Sequence, residues 1–420
     1  MSAALEAILA KATGGDAAAQ YQAGNMFHVG LHETPRDPLR AKEWYEKAAA
    51  QGVVDAQVNL GILLVQELND PTHACRWFEK AFAQGDAQAA YYLGRVLLIG
   101  DGPVASEPVK AVELYRKADE AGVPAATNAL GVLHMEGKFV EKSVEKAIAY
   151  YRKAVELDFP EAVFNLGLCF YQGTGVETSN DEAFSLFKRA AKSGHAGAMH
   201  NIGAMFLSGR GVEKDETIAH GWFLKAAEKG EPAGQYEAAQ ALRIGRGVPQ
   251  DLKRAILLYK SAAEKDFVDA QFSLGLMLAE GEGLEGPMPE EAEPWYQRAT
   301  NNGHGGAAHN LGVMYAKGRG VELNMGKALE LFECAVSFGN DDALFSVGLA
   351  LATAEPPDLV RAATYARLSI ALAPEGQGDE LLAKLGPMMT DGQREASKLA
   401  ADVWKRPTTT NEFSARSPQR

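Results

Sequence analysis

Apolar side chains recur along this chain at the spacing of an amphipathic helix. In the segment 195–230, Ala198, Ile202 and Phe206 lie four residues apart, which places them on one face of a helix. A second apolar stripe, with spacings of three and four residues, follows at 218–227 and alternates with charged residues. The segment therefore predicts two amphipathic helices, which we call helix A and helix B, joined by a short turn.

The same two-helix pattern returns about ten times. Helix A carries the pattern Ala-x-x-x-Leu-Gly, whose last position defines an alignment residue, and successive alignment residues are 33 to 37 positions apart. So regular a period is typical of repeat proteins, whose small units bury apolar surface only against their neighbours. We therefore predict an all-α fold, an α-solenoid forming a right-handed superhelix of about ten helix-turn-helix repeats of roughly 36 residues. The alignment residues are Gly24, Gly61, Gly94, Gly131, Gly167, Gly203, Ala239, Gly275, Gly312 and Gly348.

Small side chains of helix A face bulky side chains of helix B. Ala stands five positions before the alignment residue in nine of the ten repeats, which allows the helix backbones to approach closely. Helix B carries pairs of adjacent aromatic residues in several repeats, and we expect these pairs to fill the core rather than to bind a cofactor. The pairs are Trp44 and Tyr45, Trp77 and Phe78, Tyr150 and Tyr151, Trp222 and Phe223, and Trp295 and Tyr296.

The turn between the helices often carries two glycines, as in the Gly-Arg-Gly-Val sequences at 209–212, 245–248 and 318–321. A dinucleotide-binding loop would follow a buried strand, and a P-loop would end in Gly-Lys-Ser/Thr. Here each glycine pair follows an amphipathic helix and precedes acidic residues such as Glu177 and Glu322, which would repel phosphate. We predict that the first glycine ends helix A, that the second permits the turn, and that the valine packs back into the core.

These motifs resemble the Sel-one-like repeat, a relative of the tetratricopeptide repeat. Asn-Leu-Gly-Val-Met-Tyr at 310–315 and Gly-Arg-Gly-Val at 318–321 match the first half of that repeat. Lys-Ala-Ala-Glu-Lys-Gly at 225–230 matches the second half, and the resemblance covers about residues 14–372. It implies a scaffold or adaptor that recruits other proteins.

Four segments are expected along the chain. Residues 1–13 are predicted to form an N-terminal capping helix, residues 14–372 the repeat array, and residues 373–406 C-terminal capping helices. The last residues, 407–420, are polar and rich in Pro, Ser and Thr, so we expect them to be a disordered tail.

Charge and composition narrow the classes of partner. The formal net charge of −13 and the lack of a basic stripe argue against nucleic acid, and no apolar run is long enough for membrane insertion. Only three cysteines occur, far apart in sequence, which fits a reducing compartment. The N-terminal sequence has neither a secretory nor a mitochondrial targeting pattern, so we expect a cytoplasmic protein.

Polar residues among apolar neighbours mark the candidate binding surface. At about 100° per residue, the positions −6, −2 and +5 relative to the alignment residue share one face of helix A. An amide offers both a donor and an acceptor, so a ladder of asparagines at −2 is suited to hold the backbone of an extended peptide. The alternative is that each asparagine bonds a neighbouring repeat. The candidate partner-binding residues are Asn59, Asn165, Asn201, Glu237, Asn310, Gln172 and Glu280.

Acidic residues on this face favour a basic partner. Four of the seven acids lie in the first turn of helix A, where the helix dipole alone explains them. Glu136, Glu237 and Glu280 remain as evidence for a basic segment.

The sequence carries no catalytic or metal-binding motif, and we expect neither an enzyme nor a cofactor. His28 and His32 are four residues apart, but Gly30 lies between them and spoils a common helix face, so no metal site is predicted there. His200 and His309 occupy the same repeat position in distant repeats. Two other functions stay open: an enzyme or small-molecule receptor with a site in the concave groove, and a structural subunit of a larger complex.

Overall fold

Helices fill most of the chain, and no residue of the described ranges lies in a β-strand. The computed structural model describes residues 3–31, 34–100, 103–372 and 377–405, so the segment 407–420 and His32 lie outside the described residues. Within these ranges, the 23 α-helices are α1 Ala3–Thr13, α2 Ala17–Val29, α3 Pro38–Ala50, α4 Val54–Gln66, α5 Pro71–Ala83, α6 Ala87–Ile99, α7 Pro108–Glu120, α8 Pro124–Glu136, α9 Val144–Glu156, α10 Pro160–Gln172, α11 Asn180–Lys192, α12 Ala196–Ser208, α13 Glu216–Glu228, α14 Pro232–Ile244, α15 Leu252–Glu264, α16 Val268–Glu280, α17 Pro289–Asn301, α18 Gly305–Lys317, α19 Met325–Ser337, α20 Ala343–Thr353, α21 Leu359–Leu372, α22 Gly378–Leu385 and α23 Asp391–Asp402.

Ten consecutive helix pairs, α2 with α3 through α20 with α21, follow one another along the chain. The even-numbered member of each pair is helix A and the odd-numbered member is helix B. The pairs fall into two units, Met1–His195 with repeats 1 to 5 and Ala196–Arg420 with repeats 6 to 10. Within each unit, helix B packs on helix A of its own repeat and on helix A of the next. The predicted all-α solenoid is confirmed.

Short polar side chains fix where helix B begins. Asp37, Ser143, Ser179 and Asp215 each precede a helix B and accept a hydrogen bond from the backbone amide three residues on. Such caps satisfy an amide that has no partner within the helix and are typically worth about 1 kcal/mol each. The capping residue therefore defines the position at which each of these helices begins.

An aromatic ring of helix B packs directly on the alignment glycine of helix A and leaves no room for a side chain there. A Cβ atom added at Gly24 would come within 2.4 Å of Tyr45, and one added at Gly275 would come within 2.8 Å of Tyr296. The same contact joins Gly203 to the ring of Phe223. The nine alanines five positions earlier are all buried, so small residues bring the helices together; a ring lies on eight of the nine alignment glycines, and at Gly348 Leu381 takes its place.

In the aromatic pairs at 44–45, 77–78, 150–151 and 295–296, both members pack on the core as expected, but the first member lies at its edge. Tyr45 and Tyr296 are fully buried, whereas Trp44 and Trp295 are only partly buried. The nitrogen of Lys47 lies 4.2 Å from the centre of the Trp44 ring, and Trp222 lies under Lys225 in the same way at 4.1 Å. Adjacent residues on a helix point about 100° apart, so one member of a pair faces helix A, and in the four pairs that begin with Trp the indole carries a cation on its face.

The glycine pairs form turns, as predicted. Gly209 ends α12 with a φ of 71°, and Gly211 has a φ of 74°, both in the left-handed region. The second glycine of the pair has a further reason. A Cβ atom at Gly247 would lie 2.4 Å from the backbone of Glu216 at the start of α13, so the turn rests directly on helix B of the preceding repeat. The valines that follow, including Val176, Val248 and Val321, pack against the cores, which confirms that prediction.

Buried glutamines four positions before the alignment residue link successive helices. The amide of Gln57 donates to the carbonyl of Ala49 at 3.1 Å, and its oxygen accepts from the amide of Gln84 at 2.8 Å. Gln20 makes the same two bonds with Ala12 and Gln51. In each case, the glutamine amide donates to a carbonyl at the end of the preceding helix, and the glutamine oxygen accepts from the side-chain amide that follows helix B of the same repeat.

Further helices adjoin the first and the last pair. α1 packs on α2 through a cluster that contains Ala12, Ala19 and Ala23. α23 packs on α21, where the fully buried Ser397 accepts a hydrogen bond from Arg367 at 3.3 Å. The segment boundaries proposed from the sequence stay predictions.

Candidate functional site

The candidate site lies on the helix-A row, which we define as the residues at positions −2 and +5 of helix A in each unit. The candidate residues at −2 (Asn59, Asn165, Asn201, Glu237 and Asn310) are partly buried, and those at +5 (Gln172 and Glu280) are exposed. The −2 position therefore lies deep between neighbouring A helices, and the +5 position lies at the rim.

In the first unit, the asparagines of the row bond the preceding repeat. The amide of Asn59 donates to the hydroxyl of Tyr21 and to the side-chain oxygen of Asn25, each at 3.2 Å. The amide of Asn165 donates to the side-chain oxygen of Asn128 at 3.0 Å. These asparagines therefore make contacts between repeats, which was the alternative to peptide binding.

In the second unit, the two asparagines differ. The amide of Asn201 donates to the carbonyl of Gly197 in its own helix at 2.9 Å. The amide of Asn310 donates across repeats to the hydroxyl of Tyr296 at 3.3 Å. The side-chain oxygens of Asn165, Asn201 and Asn310 accept no hydrogen bond from any described residue, so each has an acceptor left for a ligand.

Each acid that favoured a basic partner has a cation beside it. The carboxylate of Glu237 lies 3.3 Å from Arg246, that of Glu280 lies 3.4 Å from Arg319, and that of Glu136 lies 2.9 Å from Lys138. These partners were not evident from the helix-A pattern because all three cations lie in the turns after helix A. The pairs reduce the negative field that a basic segment would meet.

A polar network that the sequence reasoning missed joins repeats 1 and 2. The hydroxyl of Tyr45 donates to the side-chain oxygen of Asn25 at 2.7 Å and lies 3.2 Å from Nδ1 of His28. Nε2 of His28 lies 3.0 Å from Glu67, whose oxygen also meets Arg36 at 2.6 Å. Burial raises the pKa of Tyr45, so its hydroxyl stays a donor. This network closes the row at repeats 1 and 2 with the protein's own side chains.

At the corresponding place between repeats 8 and 9, the row is open. A pocket of about 210 Å³ lies between α16 and α18. Its lining includes Tyr296 and Asn310 with the apolar Leu276, Ala279 and Met314, and the charged Glu280, Lys317 and Arg319. Sequence reasoning had placed Asn310 and Glu280 on one face, and the pocket does bring them together. Tyr296 was missed because it was assigned to the core, although the choice of Tyr over Phe was a visible signal.

Histidines of the second unit are held in the neutral form by burial. Burial lowers the pKa of His200 and of His309, and the nearby Glu237 and Asp342 oppose the shift only in part. Nε2 of His309 lies 3.0 Å from the hydroxyl of Ser346. His28 is engaged by Tyr45 and Glu67. Within the described ranges, no three His, Cys, Asp or Glu side chains are grouped so as to hold a metal ion.

Membrane insertion has no candidate among the described helices. None of them combines the length and the apolar character needed to cross a bilayer.

Comparison with known proteins supports the repeat assignment. The family model described as Sel1 repeat matches nine segments: 17–53, 54–86, 87–123, 124–159, 160–195, 196–231, 232–267, 268–304 and 306–337. The tenth helix pair, α20 and α21, lies outside these matches, and Glu355-Pro356-Pro357 stands in its turn where other repeats have the glycine pair. A search of curated protein sequences finds no significant match.

Several solved structures are similar. A Sel1 repeat protein from Oxalobacter formigenes is 29% identical, with a TM-score of 0.50 over 58% of this chain and 96% of that chain. A protective antigen of uropathogenic Escherichia coli that displays an SLR fold is 24% identical, with a TM-score of 0.47 over 94% of this chain and 93% of the other. An immunity protein from Pseudomonas aeruginosa is 20% identical, with a TM-score of 0.41 over 51% and 83%.

Proposed function

Since the chain belongs to the Sel1 repeat family, whose members are generally protein-interaction scaffolds, we propose that it is a non-catalytic adaptor that binds an extended segment of a partner protein along the helix-A row. The proposed contacts are the candidate residues named above, taken unit by unit: Asn59, Asn165 and Gln172 in the first unit, and Asn201, Glu237, Glu280 and Asn310 in the second. The partner is a protein, and the binding requires no cofactor.

The observation that carries this proposal is the unused acceptor on each of the three asparagines Asn165, Asn201 and Asn310. An extended backbone presents N–H donors that need such acceptors, and a row of half-buried amides offers them without reading the partner's sequence. The intramolecular bonds of the amide nitrogens hold the side chains in place before binding, which lowers the conformational entropy that a partner must remove.

The same structure weakens the case for a strongly basic partner. Every acid in the set Glu136, Glu237 and Glu280 has a cation within 3.4 Å, so the row presents balanced charge rather than a negative stripe. Exposed ion pairs are worth only about 0–1 kcal/mol each, and a partner can displace them without a large loss. We therefore propose that the partner must present an extended segment, and that a basic character of this segment is of secondary importance.

Site-specific photo-crosslinking in the native cell tests which face binds. A photoreactive phenylalanine analogue replaces Gln172, which is exposed on the helix-A row, and in a second strain replaces Leu257, which is 67% exposed on helix B of repeat 7. The proposal expects a discrete crosslinked protein from position 172 that is absent or much weaker from position 257. Mass spectrometry then identifies the partner and the crosslinked peptide.

The asparagines are tested with the identified partner. Changing Asn165, Asn201 and Asn310 together to alanine removes the acceptors, and we expect the dissociation constant to rise at least about tenfold. The matched control changes the exposed helix-B residues Lys188, Lys260 and Glu330 to alanine. A crosslink that comes only from helix B, or a triple asparagine variant that binds as tightly as the original, would refute the helix-A row as the binding surface.

A further inference from the structure

Repeats 1–2 and repeats 8–9 place the same tyrosine and asparagine in the same positions. Tyr45 and Tyr296 each lie on the alignment glycine of their repeat, and Asn59 and Asn310 each stand two positions before the next alignment glycine. The neighbours differ at two positions of helix A. Positions +1 and +4 are Asn25 and His28 in repeat 1, and Leu276 and Ala279 in repeat 8.

This exchange leaves the hydroxyl of Tyr296 without an acceptor. Tyr45 donates its hydroxyl hydrogen to Asn25 at 2.7 Å. Tyr296 accepts a hydrogen bond from Asn310, but no described residue accepts one from Tyr296. The residue is 1% exposed, and Tyr296 and its hydrogen-bond donor Asn310 both line the pocket between α16 and α18. Buried hydroxyl donors are normally paired, so this pocket is built for an acceptor atom that the chain itself does not supply.

Cations at the rim define what that acceptor is. Lys317 and Arg319 lie on the pocket, and Lys317 forms no ion pair with any described residue. Arg319 pairs with Glu280 and donates to the carbonyl of Ala279. Glu280, Lys317 and Arg319 together carry one excess positive charge, which balances the charge of a monoanion. The carboxylate of Glu280 would repel the second negative charge of a dianion.

We propose that the pocket between α16 and α18 binds a single carboxylate of the partner segment, with one oxygen accepting from Tyr296 and the charge facing Lys317. The inference rests on the proposed function, because it assigns one specific contact to the same helix-A row. The pocket volume of about 210 Å³ is several times that of a water molecule, so the pocket admits the end of a side chain. Leu276, Ala279 and Met314 exclude water around the carboxylate, which strengthens its hydrogen bonds.

Tyr296 keeps its donor hydrogen throughout the physiological range. Burial, with the opposing bond from Asn310 and the added effect of Glu280, raises the pKa of Tyr296 to about 12. A neutral phenol and an ammonium group together form the charge-assisted pair that a carboxylate prefers.

Methionine methyl groups report on the pocket directly, because Met314 lines it. The full chain is labelled with ¹³C-methyl methionine and titrated with N-acetyl-glutamate methylamide, which carries only a side-chain carboxylate. We expect a saturable shift of the Met314 resonance and no shift of Met26, which lies in repeat 1. The glutamine analogue is isosteric and uncharged, and it should bind at least about tenfold more weakly.

Two further probes distinguish the source and class of the anion. N-acetyl-alanine presents a chain-terminal carboxylate, and N-acetyl-phosphoserine methylamide presents a dianion. The terminal probe binding more tightly than the glutamate probe would assign the pocket to a chain end. The phosphoserine probe binding tightest would overturn the carboxylate, as would equal binding of the glutamate and glutamine probes or no Met314 shift with any of them.

Variants connect binding to the named atoms. Tyr296→Phe and Lys317→Gln should each weaken the glutamate probe by about fivefold or more, whereas Tyr45→Phe should leave it unchanged. The double substitution Leu276→Asn with Ala279→His places the neighbours of Tyr45 around Tyr296 and should block the pocket. Unchanged binding in both Tyr296→Phe and Lys317→Gln would overturn the assignment. If no carboxylate probe binds the pocket while crosslinks from position 172 persist, only the carboxylate site is wrong. If the probe binds but no helix-A crosslink forms, the partner proposal fails instead.

Discussion

The tyrosine–asparagine pairs of repeats 1–2 and repeats 8–9 share a scaffold and differ in what surrounds the hydroxyl. Tyr45 is enclosed by Asn25 and His28, and Tyr296 faces a pocket. Both rings fill the same gap over an alignment glycine. The comparison teaches that ring packing and hydroxyl chemistry are separable in this repeat. Two positions on helix A decide whether the polar atom serves stability or is left for a ligand.

Removing either ring should cause the largest effect and should not distinguish the two regions. Tyr45→Ala and Tyr296→Ala each empty a fully buried site over a glycine, and we expect a loss of about 3–5 kcal/mol from either. Urea denaturation, with hydrogen exchange of the affected helices, measures the loss. A much smaller loss at Tyr296 would show that its ring, and not only its hydroxyl, contributes little to the free energy of unfolding.

Removing only the hydroxyl should separate the regions. Tyr45→Phe removes the shorter of the two hydrogen bonds to the oxygen of Asn25, which keeps only the bond from Asn59, and also removes the contact with His28, so it should cost about 1–2 kcal/mol. Tyr296→Phe removes a hydroxyl that donates to no described residue and accepts one bond at 3.3 Å, so we expect a loss of about 0.5 kcal/mol or less. Denaturation midpoints of the two variants test this directly. Equal losses would contradict the division between a closed and an open site.

Acid should weaken repeats 8–9 through histidines that are buried as neutral groups. Burial lowers the pKa of His304 and His309, so the unfolded state takes up protons first as the pH falls below about 6.5. Stability from these groups is complete above that pH and declines below it, by at most about 1.4 kcal/mol per pH unit for each histidine. Urea midpoints between pH 7.5 and 5 should fall less steeply in His309→Gln. An unchanged slope would exclude His309 as a contributor.

The rim charges should have the smallest effect on stability. Glu280→Gln breaks an ion pair whose side chains are 59% and 45% exposed, and we expect a change within about 0.5 kcal/mol. Glu67→Gln is the matched variant in repeats 1–2, where the carboxylate is 18% exposed and meets both His28 and Arg36, so its loss should be larger. Thermal unfolding of the pair measures the difference. A larger loss for Glu280→Gln would reverse the proposed contrast.

The sequence predicts the repeat scaffold well because its physical signals are local. Helical periodicity, the capping residues and the glycine pairs act over a few residues, and the structure confirms the helices, the turns at Gly209 and Gly211, and the buried alanines. The aromatic pairs pack on the cores as expected, but deciding which member is fully enclosed, Tyr45 rather than Trp44, needs the periodicity at one-residue precision.

The chemistry of the row was less predictable because its partners are distant in sequence. Arg319 reaches Glu280 across 39 residues, and Asn165 reaches Asn128 across 37. Such contacts depend on how one repeat stacks on the next, which a helical pattern does not specify. The preference for Tyr over Phe on helix B was readable, but only the neighbours on helix A show whether the hydroxyl is satisfied.

The glutamine links of the fold determine where the array can be cut into exchangeable modules. Gln57 needs an amide such as that of Gln84 after the next helix B, and Gln271 needs Asn302. In repeat 7, Lys265 stands at that place and bonds Gly230 instead, and the side-chain oxygen of Gln235 has no hydrogen-bond partner among the described residues. Both members of each glutamine–amide pair lie in one repeat, and the bond to the preceding helix goes to a backbone carbonyl that any residue supplies. A duplicated or grafted repeat should therefore keep its link when the cuts fall between repeats, whereas a cut between helix A and helix B of one repeat separates the pair.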